Sequence, residues 1–316
     1  MPEFQFIVEP YLSGVRVDSF LARHLRNYTR WRLHRLVSEG LVTIDDHRVA
    51  EDQRVHRGQT VAVRLLEPPD KLLPPADNDV QITYEDPWLM VVDKPAGLIT
   101  HPVGDFYDGS LTNTLQRHLD EQTTARGLLR PGIVHRLDRM TSGLLVVPKD
   151  HMSHRLLSVD FQKGRPKKRY VALVEGNPSY EQLAIDLPIG QRSKGNSVLM
   201  SAASDAIRPR HARTDVRVVD RLNGYSLVEC DLHTGRNHQI RIHMAQIGHP
   251  VLGDEFYGAN GVLRQAPRLT GAGPTDKRHA LHACSLQFQH PILQTPMTFE
   301  SAPPDDFWRL AEEFAS

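Results

Sequence analysis

One aspartate, Asp138, lies between Arg136 and Arg139 within the segment 134–147, VHRLDRMTSGLLVV. Two nearby cations favour the ionised form of a carboxylate, because positive charge lowers its pKa. An enzyme that needs a permanently charged carboxylate, for example as a nucleophile, would use such an arrangement. A surface salt-bridge cluster in front of a buried strand gives the same pattern, so this segment alone leaves both interpretations open.

Four further segments are rich in histidine, basic residues, glycine and proline. They are 93–102 (DKPAGLITHP), 167–170 (KKRY), 232–243 (LHTGRNHQIRIH) and 248–258 (GHPVLGDEFYG). The first is typical of a strand end that turns through proline and glycine. Together with residues 134–147, these segments contain the candidates for a catalytic site.

Three kinds of site compete for these residues. A metal site at His238, His243 and His249 is disfavoured, because the spacing differs from the His-Glu-x-x-His helix and no carboxylate stands at the expected offset. A serine hydrolase is disfavoured because residues 141–143, TSG, do not form a Gly-x-Ser-x-Gly elbow. The third interpretation is a single-carboxylate enzyme acting on RNA, with arginines and a tyrosine lining its pocket.

The composition sets the class of protein. The 316 residues, 40% hydrophobic and 24% charged, predict an ordinary globular chain with one large and one small domain. Lys+Arg and Asp+Glu both number 38, so the net charge gives no indication of nucleic-acid binding. Two cysteines without Cys-x-x-Cys spacing favour a reducing compartment. We find neither a signal-peptide pattern nor an apolar run of about 18 residues that could span a bilayer, and therefore expect a cytoplasmic protein.

A proline-rich stretch divides the chain. Residues 67–78, EPPDKLLPPADN, predict a semi-rigid linker, because proline pairs resist both helix and strand. Residues 1–66 are expected to form a small module, and residues 79–310 the main domain.

The small module is predicted to contain two short helices and short strands. Asp18 would cap the first helix, and Thr29 would cap a second one that ends at Gly40. Strands are expected at 42–44 and 61–63.

The second helix presents a basic face with an exposed indole. Six arginines and only one acid lie between positions 16 and 35. Arginines contact phosphates and an indole can stack on a base, so this face predicts a nucleic-acid platform, the alternative being a solvated surface. The RNA-binding candidates on it are Arg30, Trp31, Arg32 and Arg35.

The main domain mixes strands and helices without regular alternation. Strands are predicted at 81–84, 89–92, 144–147, 170–174, 216–219, 226–230 and 286–288. The absence of a Gly-x-Gly-x-x-Gly or Walker motif disfavours nucleotide-cofactor folds. We therefore predict the α+β class, with a mostly antiparallel or mixed sheet.

The five segments, in this order, resemble the signatures of the RluA family of RNA pseudouridine synthases. The matching motifs are Lys-Pro-x-Gly-Leu-x-x-His-Pro, His-Arg-Leu-Asp-x-x-Thr-Ser-Gly, Lys-x-Tyr, Thr-Gly-Arg-x-His-Gln-Ile-Arg-x-His and Gly-Asp-x-x-Tyr-Gly. The small module is similar to the RNA-binding domain named after ribosomal protein S four, except that Asp45-Asp46 replaces its usual Asn-Gly-like turn. The resemblance runs from about residue 15 to about residue 299 and implies a pseudouridine synthase catalytic domain.

The resemblance implies a role for each matched residue. Asp138 would be the catalytic carboxylate, acting on the ribose or through a glycal, and Arg241 would pair with it. Tyr170 would stack on the uracil and help to remove the proton from the carbon that forms the new bond. Arg136, on a strand face shared with Asp138, would fill the space left by the flipped uridine. Substrate contacts are also expected from His135 and Lys168.

The resemblance also implies the reaction and its substrate. Such enzymes convert uridine in RNA to pseudouridine without a metal or an organic cofactor, and we expect a monomer here. The extra N-terminal module favours large-subunit ribosomal RNA as substrate. The alternatives are a tRNA pseudouridine synthase and a non-catalytic RNA-binding ribosome-assembly factor.

Overall fold

The computed structural model describes residues 3–65, 74–103, 108–123, 129–192, 199–202, 204–264 and 278–315. Over these ranges the protein is α+β, with one large mixed sheet, two smaller sheets and short helices. The predicted fold class is confirmed. The predicted linker falls largely at residues 67–73, which lie outside the described residues.

The N-terminal residues build a sheet and a core of their own. The elements are β1 (Glu3–Ile7), a 3₁₀ turn (Pro10–Leu12), α1 (Val17–His24), α2 (Arg30–Ser38), β2 (Val42–Ile44), β3 (His47–Arg48) and β4 (Thr60–Arg64). The strands pair antiparallel in the order β1-β4-β2-β3, and both helices pack one apolar side onto this sheet. Asp45 and Asp46, with φ of 49° and 64°, make the tight turn between β2 and β3.

One of the two predicted helix caps is confirmed. The Thr29 side chain accepts a hydrogen bond from Arg32 N at 3.3 Å and caps α2. The other prediction is wrong, because Arg16 is the N-cap of α1 and its carbonyl accepts from Phe20 N at 2.9 Å. Asp18 lies in the first turn instead, where an acidic side chain is also favourable because of the helix dipole.

The remaining elements follow residue 80. The strands are β5 (Gln81–Glu85), β6 (Leu89–Lys94), β7 (Ser142–Pro148), β8 (Lys167–Glu175), β9 (Gln182–Asp186), β10 (Ile189–Arg192), β11 (Met200–Ser201), β12 (Ala206–Arg210), β13 (Arg213–Arg221), β14 (Tyr225–Leu232), β15 (Leu281–Gln289) and β16 (Pro296–Glu300). The helices are α3 (Leu111–Glu121), α4 (His151–Gln162), α5 (Gln239–Gln246) and α6 (Asp305–Ala315), with a 3₁₀ turn at Ala259–Gly261. All seven predicted strands are present.

The large sheet has the order β5-β6-β7-β15-β8-β14-β13-β9, and β16 pairs with β15. Its main core lies between the sheet and helices α3 and α5. Strands β10, β11 and β12 form a separate three-stranded arm. The longest described helix, α4, has 12 residues, and no helix in the described ranges is long and apolar enough to cross a bilayer.

Strands β7 and β15 pair in parallel, whereas the other pairings described in this sheet are antiparallel. Ser142 lies opposite His282, and Gly143 lies opposite Ala283. A side chain at Gly143, whose φ is 116°, would come within 2.4 Å of the Ala283 backbone oxygen. Only glycine allows this close approach, which explains the glycine of the Thr-Ser-Gly segment.

Candidate active site

Asp138 lies in the loop of residues 135–141 that leads into β7. Arg136 lies in the same loop and is exposed. The expectation that strand alternation places Arg136 and Asp138 on one face is therefore wrong. The strand begins only at Ser142, because that is where the chain meets β15.

Lys94 holds this loop from behind, with a side chain that is fully buried. Its ammonium donates to the backbone oxygens of Pro95, Leu98 and Arg139 at 2.8, 2.8 and 3.0 Å. Burial lowers the pKa of Lys94 to about 7. Arg139 Nε donates in turn to Gly97 O at 2.8 Å. These bonds fix the backbone beside Asp138 and account for the lysine and glycine of the Lys-Pro-x-Gly segment.

Arg241, on helix α5, is buried and lies between two carboxylates. Its Nη1 donates to Asp138 Oδ2 at 3.0 Å. Its Nε and Nη2 donate to the two oxygens of Asp254 at 2.6 and 2.9 Å, a bidentate pair. The rings of Phe256 and Tyr257 lie 5.6 and 5.2 Å from the guanidinium carbon. Asp254 thus orients the guanidinium, and the guanidinium orients Asp138.

The site keeps Asp138 ionised. Burial works against the charged form, but electrostatic interaction with His238, Arg241 and His279 outweighs it. At neutral pH both imidazoles are uncharged, and the Arg241 guanidinium is the cation that remains. The pKa of the Asp138 carboxyl therefore lies well below its ordinary value. A carboxylate at neutral pH is what nucleophilic or electrostatic chemistry at a sugar carbon requires.

Tyr170, on β8, is buried and lines the same cavity as Asp138. Burial raises the pKa of its phenol far above the ordinary value, and the negative charge of Asp138 adds to the effect. The side chain is a neutral phenol at physiological pH. Its ring is available for stacking, while its use as a base would require deprotonation against this raised pKa.

The cavity around Asp138 has a volume of about 890 Å³, within the range of small-molecule sites. Arg136, His135 and Lys168 all line it. Burial lowers the pKa of Lys168 to about 8. Within the described ranges neither Arg136 nor Lys168 makes an ion pair, so both cations are available to a negatively charged ligand.

His135 is held in the cavity wall. Its Nε2 accepts from Val146 N at 3.1 Å, and its ring stacks on Phe161 with 4.4 Å between centroids. Burial lowers the pKa of His135 to about 3, so the ring is neutral. These contacts give the ring a fixed place beside the space for a ligand.

The four candidates in the N-terminal residues lie on α2, outside the cavity: Arg30, Trp31, Arg32 and Arg35. Trp31 is 69% exposed, and the Arg35 guanidinium lies 5.9 Å above its ring. The structure thus brings together Asp138, Tyr170 and Arg241 and separates them from the helix face.

Three residues of the site have no role in the sequence-based prediction: Lys94, His238 and Asp254. Each belongs to a segment that was recognised, but the residue types alone did not show which side chain meets which. Lys94 acts on Asp138 through a backbone contact, and Asp254 acts on it through the guanidinium of Arg241. Contacts of this kind between distant segments cannot be predicted from the spacing of residues in the sequence.

The described residues thus form an α+β fold in which an ionised carboxylate, Asp138, lines a cavity of about 890 Å³. Residues 88–246 match the family model described as RNA pseudouridylate synthase. This region contains Asp138, Tyr170 and Arg241. The chain belongs to this family and is an RNA pseudouridine synthase.

Relatives and solved structures agree with this assignment. The chain is 37% identical to ribosomal large subunit pseudouridine synthase D of Zymomonas mobilis, over 98% of this chain and 97% of that protein. It is 35% identical to an uncharacterized RNA pseudouridine synthase of Chlorobaculum parvum, over 95% and 94%. The solved structure of human RNA Pseudouridylate Synthase Domain Containing 1 matches with a TM-score of 0.56 and 25% identity, covering 73% of this chain and 86% of that one.

Proposed function

We propose that this enzyme isomerises specific uridines of large-subunit ribosomal RNA, with Asp138 as the catalytic carboxylate. The observation that carries the proposal is the Asp138–Arg241 pair, which places an ionised carboxylate in the cavity. The enzyme would act as a monomer, and its chemistry would need neither a metal nor an organic cofactor.

The isomerisation breaks the bond between ribose C1′ and uracil N1 and forms a bond between C1′ and C5. The C5 proton leaves, and N1 gains a proton. Asp138 can assist either by bonding to C1′ or through a glycal, and both routes need the ionised carboxylate. The hydrogen bond from Lys94 to the neighbouring backbone and the pair with Arg241 restrict the motion of the Asp138 carboxylate. They therefore hold it in one orientation towards the substrate.

Tyr170 serves best as the stacking surface for the uracil. Its ring is buried beside Asp138, and its raised pKa keeps the phenol protonated in the resting site. Removal of the C5 proton by this side chain would first require loss of its own proton. Its larger contribution is therefore the orientation of the base.

The cavity and its rim carry cationic side chains that can contact the negatively charged RNA. The target uridine has to leave its stack, at a cost of a few kcal/mol that is lowest in loops. Arg136, at the exposed end of the loop, would fill the vacated stack. Lys168, inside the cavity, would bind the phosphate backbone of the flipped nucleotide. A neighbouring groove of about 470 Å³ carries Arg208, Arg210 and Arg236 and continues the basic surface.

The ribosomal substrate is supported by the relatives and by the N-terminal residues. Relatives from Zymomonas mobilis, and from Neisseria meningitidis at 35% identity, bear the name ribosomal large subunit pseudouridine synthase D. We propose that residues 1–66 are an RNA-binding module, residues 67–78 a linker and residues 79–310 the catalytic domain. The exposed basic face of α2 is the RNA-binding surface of this module.

Helix α4 connects the module to the cavity. Arg26 forms an ion pair with Asp150, which also caps α4 by accepting from Ser153 N at 2.9 Å. At the other end of α4, Phe161 and Gln162 line the cavity. The helix is roughly 18 Å long, so an RNA that contacts both ends must be larger than an isolated nucleotide.

We expect Trp31→Ala to raise the Kd for a large-subunit rRNA transcript about tenfold, because one base–aromatic stack contributes roughly 1–3 kcal/mol. Catalysis on a short oligonucleotide should be unchanged, because Trp31 lies outside the cavity. The measurement is filter binding alongside turnover. Trp308→Ala is the matched control, since this indole on α6 is 40% exposed. Equal affinities of the two variants would contradict a role of α2 in RNA binding.

The test of the proposed function is pseudouridine mapping in total RNA from cells with and without this gene. Loss of sites from large-subunit rRNA alone is the expected result. Loss of sites from tRNA instead would show that tRNA, and not large-subunit rRNA, is the substrate. An unchanged map in both, with a defect in ribosome assembly, would favour the non-catalytic alternative.

A further inference from the structure

His238 is a cavity residue for which the reaction above has no use. It precedes α5 as its N-cap and adopts a left-handed backbone conformation, with φ of 56°. Its side chain lines the cavity. Electrostatic interaction links it to Asp138 more strongly than to any other charged neighbour.

The hydrogen bonds around Tyr257 fix which nitrogen of His238 carries the proton. The Tyr257 hydroxyl is buried and accepts from Met200 N at 3.2 Å. It also lies 2.8 Å from His238 Nδ1. Among the described residues Nδ1 is the only acceptor within reach of the hydroxyl proton, so Tyr257 donates to Nδ1. The proton of the imidazole is therefore on Nε2.

The Nε2–H is available to a ligand. The Nδ1 edge is bonded to Tyr257, which does not line the cavity, whereas Nε2 belongs to a residue that does line it and is not enclosed by protein. In the described ranges no protein group is hydrogen-bonded to this Nε2. Burial lowers the pKa of His238 to about 4, so the ring is a neutral donor at physiological pH.

His243, on helix α5, differs from His238 in its hydrogen bonds. Its Nδ1 lies 2.9 Å from Thr214 Oγ1, and its Nε2 lies 2.9 Å from Leu187 O. Both nitrogens are used within the protein, and the ring does not line the cavity. His243 is a core residue, whereas His238 has one donor left for a ligand.

We propose that His238 Nε2–H donates a hydrogen bond to a carbonyl oxygen of the target uracil. When the C1′–N1 bond breaks, its electron pair stays on the base, and the charge spreads to the carbonyl oxygens. A fixed donor at such an oxygen lowers the energy of the transition state for this cleavage, because it stabilises the negative charge that develops there. This inference rests on the proposed use of the Asp138 cavity as the uridine site.

The variant that tests this role is His238→Asn. Asparagine tolerates the left-handed conformation but is too short to place a donor at the Nε2 position. His238→Gln restores a donor near that position. The matched control is His243→Asn, which removes a buried imidazole outside the cavity.

The assay is tritium release from RNA of a gene-deletion strain labelled with [5-³H]uridine, because the reaction displaces the C5 hydrogen. We expect His238→Asn to lower kcat by about 10- to 100-fold, with a smaller change in KM and partial recovery in His238→Gln. His243→Asn should lower the Tm but keep kcat within about twofold. A kcat of His238→Asn equal to that of His243→Asn would overturn the proposal. Release by the wild type from rRNA or from the tRNA fraction tests the substrate separately.

A second measurement identifies the atom. Oligoribonucleotides with the modified site as uridine, 2-thiouridine or 4-thiouridine are compared, because sulfur is a weaker acceptor than oxygen. The ratio of wild-type to His238→Asn rates should fall to near one with sulfur at the contacted position. An unchanged ratio on both thio-substituted RNAs would exclude a carbonyl contact.

Discussion

We expect Asp138→Asn to form no detectable pseudouridine, a loss of at least about 10⁴-fold in kcat, while RNA affinity changes little. The amide keeps the shape of the side chain but can neither bond to C1′ as a nucleophile nor offset positive charge there. The cations that bind the RNA, including Lys168 and Arg136, remain in place. Single-turnover tritium release and filter binding on the same transcript measure both quantities.

The pH profile adds a second check on Asp138. Because its pKa lies well below the ordinary value, the carboxylate is already ionised at pH 5. Protonation of Asp138 should therefore cause no decrease of the wild-type rate between pH 5 and pH 8. Asp215→Asn, at a partly exposed carboxylate that does not line the cavity, is the control and should stay active. Residual turnover by Asp138→Asn above that of a mock preparation would refute the assignment.

Arg241→Met should reduce both activity and stability. The substitution leaves the buried Asp254 and the partly buried Asp138 without their shared cation, and breaking a buried ion pair costs about 3–5 kcal/mol. We expect kcat to fall by roughly 10²–10³-fold, because Asp138 loses its orientation and part of its ionisation. Denaturant unfolding and tritium release measure the two effects.

The destabilisation of Arg241→Met should depend on pH. In the wild type, burial opposes the ionised form of Asp254, but Arg241 outweighs it and brings its pKa to about 2. This contribution to stability is present at neutral pH and is lost as the pH falls. Without Arg241, burial raises both carboxyl pKa values, so the variant should recover stability as the pH falls. The stability difference between wild type and variant should be larger at pH 7 than at pH 4.5.

Arg217→Met is the control for this experiment. Arg217 lies 2.6 Å from Glu229, but it is about half exposed, and such surface pairs contribute about 0–1 kcal/mol. A loss of stability in Arg241→Met no larger than in Arg217→Met would contradict the stabilising role of the buried pair, and an unchanged kcat would contradict its role in orienting Asp138.

The sequence was sufficient for seven of the twelve strands that the structure describes after residue 80, but it did not indicate β9 to β12 or β16. Apolar runs such as 89–92 and 144–147 predict buried strands, because few other elements bury consecutive side chains. Asp138 stood out because two arginines flank it. Neither of them is its partner, since Arg136 is exposed and Arg139 Nε bonds to Gly97 O.

The true partners lie far along the chain. Arg241 is 103 residues from Asp138, and Asp254 completes the pair from a third segment. The hydrogen-bonding state of His238 depends on Tyr257 and Met200, which meet it only in the fold. The spacing of residues in a sequence predicts which side chains are neighbours on the same helix or strand. It does not predict contacts between segments that are far apart in the chain.

The parallel pairing of β7 with β15 has a consequence for the newly made chain. Ser142 and His282, hydrogen-bonded at 2.9 Å, are 140 residues apart, and the strand that follows the Asp138 loop needs β15 as its neighbour on one side. During translation, β7 can pair with β6, but Ser142 and Gly143 have no β15 partner until that strand has left the ribosome. Long-range pairings of this kind form late. A partly synthesised chain can fold its N-terminal sheet early, yet it acquires catalytic competence only when synthesis of the domain is almost finished.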